Sequence, residues 1–213
     1  MFNGGFNSII NMPHHDLGTR KENKLAVQYG PNVCSTANFT CRDDTPNKFT
    51  IHGLWPNETS PRINRTFDPA LLHGVLLEQL KEHWPGLQNR CDRNYWLWSH
   101  EWETHGRYYY NGSNPGSQVG YFQNGVNLFL KNEIKYALGN LSEPGEYKTF
   151  VILERLKNIT TFVPSLYCKN DSHNRTLLTE IKFCLQADLT TLTDCKKNQS
   201  GCGTAFYVKL NEV

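Results

Sequence analysis

Seven cysteines are the feature that most constrains what this chain can fold into. They allow three disulfides with one thiol left over, and disulfides persist mainly in oxidising, extracellular settings. Spacing alone does not choose among the possible pairings. Single Asn-x-Ser/Thr sequons often arise by chance, but nine in one chain indicate N-linked glycans and therefore secretion. The cysteines are at 34, 41, 91, 168, 184, 195 and 202, and the sequons begin at Asn38, Asn57, Asn64, Asn111, Asn140, Asn158, Asn170, Asn174 and Asn198.

Residues 1–24 do not have the pattern of the signal peptide that a secreted protein requires. They lack the apolar core of a signal peptide and show no hydrophobic periodicity, so we expect an atypical, disordered segment. Either the leader is absent from this chain or the protein is not exported, and the sequons and cysteines favour the first alternative. His14 and His15 are expected to be solvated loop residues rather than metal ligands.

Composition narrows the class of protein further. The 22 Lys and Arg residues nearly balance the 20 Asp and Glu residues, which gives a net charge of +2. This balance permits a polyanionic substrate, but there is no clustered basic run of the kind that dedicated nucleic-acid binders carry. No apolar stretch approaches the roughly 20 residues of a membrane span. The length of 213 residues predicts one domain, over 25–213, and a monomer.

Hydrophobic patterns predict helices and strands in segregated runs, which favours an α+β fold. Alternation indicates strands at 24–29 and 49–55, and helical spacing indicates a helix over 70–84 that stops before Pro85. Further strands are expected at 166–168, 178–185 and 205–210. A second helix with one buried stripe is marked by Phe122, Val126, Phe129, Leu130, Ala137 and Leu138.

The segment HEWETH, residues 100–105, resembles a zinc-protease motif only at first sight. That motif requires His-Glu-x-x-His, whereas five positions separate His100 from His105 here. Five helical positions turn the second side chain about 140° from the first, so the two histidines would not share one metal ion. Glu101 and His105 are four apart and share a face, so the carboxylate can support the imidazole. We therefore expect neither a metal nor another cofactor.

His52 is predicted to project from its strand on the face opposite Phe49 and Ile51. With an ordinary pKa near 6.5, two histidines can divide general-base and general-acid catalysis between them. Such a pair suits metal-free cleavage of RNA, in which one takes the 2′-hydroxyl proton and the other protonates the departing 5′-oxygen. The alternative is that each histidine is structural, and the residues alone leave both alternatives open.

Two motifs in order, FTIHGLWP (49–56) and WSHEWETHG (98–106), resemble the active-site motifs of the ribonuclease T2 family. This family includes the S-ribonucleases of plant self-incompatibility and their S-like relatives. The resemblance extends from about Leu25 to the C-terminus, through VQYGPNVC, EHWPGLQ, VPSLYC, EIKFCL and LTDC. It implies a central antiparallel sheet flanked by helices.

The resemblance also implies roles for individual residues. His52 matches the general acid, His105 the general base, and Glu101 the carboxylate that supports the transition state. The residues that match phosphate or base sites are His100, Trp55, Gln28, Thr104, Leu87, Gln88 and Leu97. Trp98 and Trp102 are expected in the core rather than as platforms for bases.

Two departures from the family pattern carry weight. The family usually has His-Glu-Trp-x-Lys-His-Gly-Thr-Cys, whereas Thr104 replaces the lysine here and Arg107-Tyr108 replaces Thr-Cys. Loss of a transition-state donor typically costs about 2.7–4 kcal/mol, so we expect a weaker enzyme unless Arg107 reaches the phosphate. The family's partner for the missing cysteine is absent as well. The resemblance then implies the pairs Cys34–Cys41, Cys168–Cys202 and Cys184–Cys195, with Cys91 a free, buried thiol or an intermolecular link.

The sequence thus predicts a secreted, glycosylated endoribonuclease that cleaves single-stranded RNA with little base preference through a 2′,3′-cyclic phosphate. The alternative from another class is an impaired glycoprotein that keeps the fold and acts in recognition or storage. Retention of His52, Glu101 and His105 favours the enzyme, while Thr104 favours the alternative. An S-ribonuclease, with a pollen-side protein partner, would combine both roles.

Overall fold

The structure is a computed structural model that describes residues 22–59, 61–111, 114–139, 141 and 144–208. The prediction of disorder for residues 1–21, and the His14–His15 pair within them, lies outside the described residues. The strands are β1 (Asn23–Tyr29), β2 (Phe49–Trp55), β3 (Tyr110–Asn111), β4 (Asn114–Pro115), β5 (Glu146–Lys148), β6 (Ser165–Asn170), β7 (Thr176–Leu185), β8 (Leu192–Thr193), β9 (Gln199–Ser200) and β10 (Ala205–Tyr207). The helices are α1 (Gly30–Thr36), α2 (Gly74–His83), α3 (Arg93–Thr104), α4 (Gln118–Phe129), α5 (Asn132–Gly139) and α6 (Thr149–Thr160), with 3₁₀ turns at Pro69–Leu71 and Gly106–Tyr108.

A mixed sheet forms the centre of the molecule, and its main part is antiparallel. Strand β1 pairs antiparallel with β2 on one side and with β7 on the other, and β6 continues the sheet beyond β7. Strand β10 joins β7 in the parallel sense, and β5 pairs with β10 at the edge. The predicted α+β fold with a central antiparallel sheet flanked by helices is confirmed.

One face of this sheet carries the main core. Leu25 and Val27 of β1 face the same side as Ile51 and Leu54 of β2, and all four are fully buried. Helix α4 packs on this face, and Trp84 after α2 fills the space between helix and sheet. The opposite face of β1, β2 and β7 is therefore left to carry polar side chains.

Two predicted helices differ from the structure. The helix expected over 70–84 begins only at Gly74, because Gly74 takes a positive φ of 58° and breaks the chain away from the 3₁₀ turn before it. The second helix is interrupted after Phe129, and α5 resumes the same buried stripe at Asn132. A stripe of apolar residues does not reveal a short break of this kind. Helix α6 is not among the elements predicted from the sequence.

Three disulfides join Cys34–Cys41, Cys168–Cys202 and Cys184–Cys195, the pairs that the family resemblance implied. Cys91 is free and exposed, so the expectation of a buried thiol is wrong. Strand β1 begins at Asn23, two residues before the predicted domain boundary. Within the described part of the chain, we find no helix that is both long and apolar enough to cross a bilayer.

Candidate active site

A β-bulge in β2 shapes the first half of the site. Ile51 pairs with Val27 and Gly53 pairs with Ala26, which leaves His52 as an extra residue on β2. A bulge of this kind re-aims the side chains next to it. As a result the side chains of His52 and Trp55 meet on the polar face of the sheet, with ring centroids 5.3 Å apart. On the core face of the sheet, the indole N–H of Trp84 donates a hydrogen bond of 2.7 Å to the backbone carbonyl of His52, which stabilises the bulge.

Helix α3 supplies the second half of the site. Glu101 lies in its last turn and is buried, while His100 on the preceding position is exposed and stacks on Trp96. The helix ends at Thr104, and the backbone of His105 leaves the helical conformation. His105 is partly buried against Trp55, with ring centroids 5.4 Å apart. His52 and His105 therefore contact the same indole ring from two separate segments of the chain.

The helix is fixed in place by its tryptophans. Trp98 and Trp102 are fully buried, which confirms their prediction as core residues. Their indole N–H groups donate to the backbone carbonyls of Trp84 and Arg65 at 2.8 and 3.0 Å. Because both rings are locked by packing and by a hydrogen bond, Glu101 between them has little freedom to move.

The Glu101 carboxyl group sits between Trp55 and His52. Its Oε2 accepts a hydrogen bond of 3.0 Å from the indole N–H of Trp55, and its Oε1 is 3.8 Å from Nε2 of His52. Burial raises the pKa of Glu101 to about 7, although the charge of His52 and the Trp55 bond favour the ionised form. The group is thus largely protonated in mildly acidic solution.

A second carboxyl group, Glu180 of β7, completes the contacts of His52. Its Oε1 is 2.5 Å from Nδ1 of His52, and its Oε2 is 3.0 Å from Nζ of Lys182. Burial alone would raise the pKa of Glu180, but the bonds and charges of His52 and Lys182 hold it at about 2. Burial alone would lower the pKa of His52, but Glu180, and more distantly Glu101, raise it above its ordinary value. With Nδ1 engaged by Glu180, Nε2 is the nitrogen of His52 that remains for a substrate.

A cavity of about 300 Å³ opens beside His52. Its wall carries Trp96, Phe39 and Arg93, none of which was singled out from the sequence. The side-chain oxygen of Gln88 and Nε of Arg93 are buried there and have no hydrogen-bond partner among the residues that the structure describes. The residues that the resemblance assigned to base or phosphate sites and that line this cavity are Gln28, Leu87, Gln88, Leu97 and His100.

Two further residues bear on catalytic strength, and neither lines the cavity. Thr104 is exposed at the end of α3. Arg107 donates to the carbonyl of Ile63 at 2.8 Å and to the Glu103 carboxylate at 2.7 Å. The suggestion that Arg107 serves the phosphate site is therefore not supported, because its guanidinium holds the loop around Ile63 instead.

Sequence reasoning missed Glu180 and Lys182 although a signal was present. The segment LTEIKFCL was predicted as a strand, and it places two opposite charges at alternate positions of an otherwise apolar run. Alternation puts such residues on one face, next to each other. A charged pair inside a central strand requires polar neighbours, and here His52 is that neighbour.

The sequence pattern of the Ribonuclease T2 family matches residues 23–195. The chain belongs to the ribonuclease T2 family. This is a family of RNA-cleaving endoribonucleases, and the match spans both histidine motifs as well as strand β7.

Individual members of the ribonuclease T2 family agree with this assignment. Ribonuclease S-7 of Pyrus pyrifolia is 30% identical over 183 residues, which cover 81% of this chain and 79% of that protein. Extracellular ribonuclease LE of Solanum lycopersicum is 26% identical over 193 residues, which cover 84% of this chain and 82% of that protein. Ribonuclease MC1 from the seeds of bitter gourd superposes with a TM-score of 0.72 and 28% identity, over 87% of this chain and 98% of that chain. Variants of that ribonuclease have been solved with 5′-GMP and 5′-UMP.

Proposed function

We propose that this family member cleaves single-stranded RNA with His105 as general base and His52 as general acid. The observation that carries the proposal is the contact of both imidazoles with the single indole ring of Trp55. This contact keeps the two imidazoles close without bringing them onto one metal ion. Two imidazoles on either side of one phosphate are what transfer of a phosphodiester to the neighbouring 2′-oxygen requires.

In the proposed reaction His105 takes the proton of the 2′-hydroxyl, and the 2′-oxygen forms a bond to phosphorus. The bond from phosphorus to the 5′-oxygen breaks, and Nε2 of His52 delivers its proton to that oxygen. The products are a 2′,3′-cyclic phosphate and a free 5′-hydroxyl, and no redox partner or metal is needed. The pKa of His52 supports its role as the acid, because the bond and charge of Glu180 raise it above its ordinary value against the opposing effect of burial.

Glu101 fits this reaction because it is buried. A fully ionised carboxylate beside the phosphate would oppose the developing negative charge. With its pKa raised to about 7, the group carries little charge in mildly acidic solution and can hold Trp55 without repelling the substrate. The proposed role of Glu101 is to fix the indole against which both imidazoles rest and to support the transition state.

The cavity beside His52 supports a substrate with an unpaired base. Leu87 and Leu97 offer an apolar wall, and Gln28 and Gln88 offer polar groups that can adapt to different bases. This mixture supports low base preference. A base in a duplex would be stacked and paired, so it could not enter such a cavity.

Secretion and glycosylation are proposed together. Of the nine sequon asparagines, Asn38, Asn64, Asn158, Asn170, Asn174 and Asn198 are exposed and Asn57 is partly buried, while the side chains at 111 and 140 lie outside the described residues. Three disulfides and an extracellular relative support the same compartment. We propose that the protein acts as a monomer and that, if it serves as an S-ribonuclease, a pollen-side protein is its partner.

One observation favours a second candidate function. Thr104 brings no charge to the end of α3, where the family has a lysine, so the fold could serve recognition or storage with little catalysis. This candidate predicts a folded protein that does not cleave RNA but becomes active when Thr104 is changed to Lys.

The test is cleavage of single-stranded RNA by the disulfide-bonded protein from pH 4 to 8 with EDTA present. His52→Ala and His105→Ala are expected to abolish activity, and His173→Ala, an exposed histidine of the β6–β7 turn, serves as the matched control. A bell-shaped profile with 2′,3′-cyclic phosphate ends supports the proposal. Full activity in His52→Ala would refute it, and silence of the folded parent with an active Thr104→Lys variant would favour the second candidate.

A further inference from the structure

Lys182 of β7 is held against the active site by three contacts. Its ammonium group is 3.0 Å from Oε2 of Glu180, and it lies over the rings of Tyr167 and Trp55 at 4.5 and 5.0 Å from their centres. Its side chain is only 18% exposed. Long lysine side chains usually extend into water, so a lysine fixed between two aromatic faces and a carboxylate has a defined position.

The charged groups around His52 show what the ammonium group of Lys182 adds to the net charge of the site. The charged groups packed around its ring are Glu101 from α3, and Glu180 and Lys182 from β7. Glu180 is ionised and offsets the charge of a protonated His52. With Glu101 protonated in mildly acidic solution, Lys182 leaves one positive charge in excess on this side of Trp55. Without it, an approaching phosphate would meet a pair of opposite charges with no net attraction.

Other cations near the site are directed elsewhere. Arg107 is bound to Glu103 and to the carbonyl of Ile63. Arg93, on the far wall of the cavity, faces Asp44 at 3.6 Å. Lys169 lines the cavity but is exposed, so its ammonium is not confined to one position.

We propose that Lys182 supplies the positive charge that stabilises the phosphate of the substrate, in the place of a cation on α3. The inference rests on the ribonuclease function proposed above. A cation that is already fixed by Glu180, Trp55 and Tyr167 needs no reorganisation when negative charge develops on the phosphate. The active site would then draw its charge from a strand of the sheet rather than from the helix that carries Glu101 and His105.

Lys182→Met keeps the length of the side chain and removes its charge. We expect kcat for RNA cleavage to fall about 100-fold, and the alkaline limb of the pH profile to move to higher pH, because Lys182 lowers the pKa of His52. Lys182→Arg should retain part of the activity. Adding Thr104→Lys to Lys182→Met should restore kcat to within about tenfold of the parent. Lys157→Met, at an exposed lysine of α6, is the matched control and should leave kcat unchanged.

Binding of inorganic phosphate and the NMR titration of His52 give readouts that do not depend on turnover. Lys182→Met should weaken phosphate binding roughly tenfold and raise the pKa of His52, even if the parent proves inactive on RNA. Phosphate binding and a His52 titration equal to those of the parent would overturn the inference while leaving the ribonuclease proposal intact. A third outcome would also overturn the inference: Lys182→Met loses activity, Thr104→Lys does not restore it, and the His52 titration is unchanged. That result would show a purely structural role for Lys182.

Discussion

Gly53 lies where β2 passes close to α3, and the position that a Cβ atom would take at this residue is already occupied. A Cβ atom there would lie 2.1 Å from Oε2 of Glu101 and 2.3 Å from Nε1 of Trp55. These are the two atoms that form the 3.0 Å hydrogen bond between strand and helix. Gly53→Ala must therefore separate Glu101 from Trp55, because the alternative, a shift of the β2 backbone, would break its hydrogen bonds to β1.

The expected loss of stability is the sum of two costs and one smaller gain. Overpacking typically costs about 1–3 kcal/mol, and a buried polar pair that loses its hydrogen bond costs about 1–3 kcal/mol more. The smaller conformational entropy of unfolded alanine returns about 0.4–1 kcal/mol. A net loss of about 3 kcal/mol in the free energy of unfolding is expected, which for a chain of this size lowers Tm by roughly 6–12 °C. Because Glu101 is displaced, kcat should also fall about 100-fold.

Thermal unfolding followed by circular dichroism, together with the kinetics of RNA cleavage, checks both numbers. Gly139→Ala is the matched control, since outside the adjoining backbone no described residue lies within 4 Å of the Cβ position at this exposed residue of α5. It should be neutral or stabilising by up to about 1 kcal/mol. If Gly53→Ala unfolds within about 2 °C of the parent and keeps its kcat, the close approach of β2 and α3 described here is wrong.

Because burial raises the pKa of Glu101 from 4.5 to about 7, the folded state holds this proton more tightly than the unfolded state. The stabilisation from this proton is therefore complete below about pH 4.5 and is lost as the pH rises through 7, by on the order of 3 kcal/mol. In urea unfolding, the free energy of unfolding of Glu101→Gln should change less between pH 5 and pH 8 than that of the parent. Glu180→Gln removes the charge that raises the pKa of His52, so the alkaline limb of kcat/KM should move to lower pH, and an unmoved limb would contradict this assignment. Cys91→Ser should leave Tm within about 2 °C while abolishing the reaction of the native protein with a thiol reagent, because Cys91 is exposed.

Local pattern was sufficient for β1, β2, β6, β7 and β10, and for one side of the site, whereas the short strands β3, β4, β5, β8 and β9 were not predicted. Alternation predicts that β2 forms and that His52 lies opposite Phe49 and Ile51. Simple alternation would also put Trp55 on the face opposite His52, because three positions separate them. The bulge at His52 adds one residue and reverses that expectation, so the ring contact of His52 with Trp55 could not be read from the spacing.

Contacts between residues far apart in the sequence could not be predicted from local pattern. Glu180 is 128 residues from His52, and the contact exists only because β1 pairs with β2 and β7 at once. Helical spacing likewise cannot show that a helix ends after Phe129 and resumes at Asn132, since the buried stripe continues across the break. Periodicity records which face is buried, whereas strand pairing and chain breaks depend on partners elsewhere in the fold.

The three disulfides divide the active site into two unequally tethered parts. Glu180 lies inside the loop closed by Cys168 and Cys202, whereas the long interval that carries His52, Glu101 and His105 contains no cysteine except Cys91. Heating can therefore unfold the interval with His52, Glu101 and His105 while the loop that carries Glu180 stays cross-linked. The exposed thiol of Cys91 can then attack the disulfides. Recovery of activity after heating should decline with the time spent unfolded, and a single odd cysteine would set the storage life of the protein.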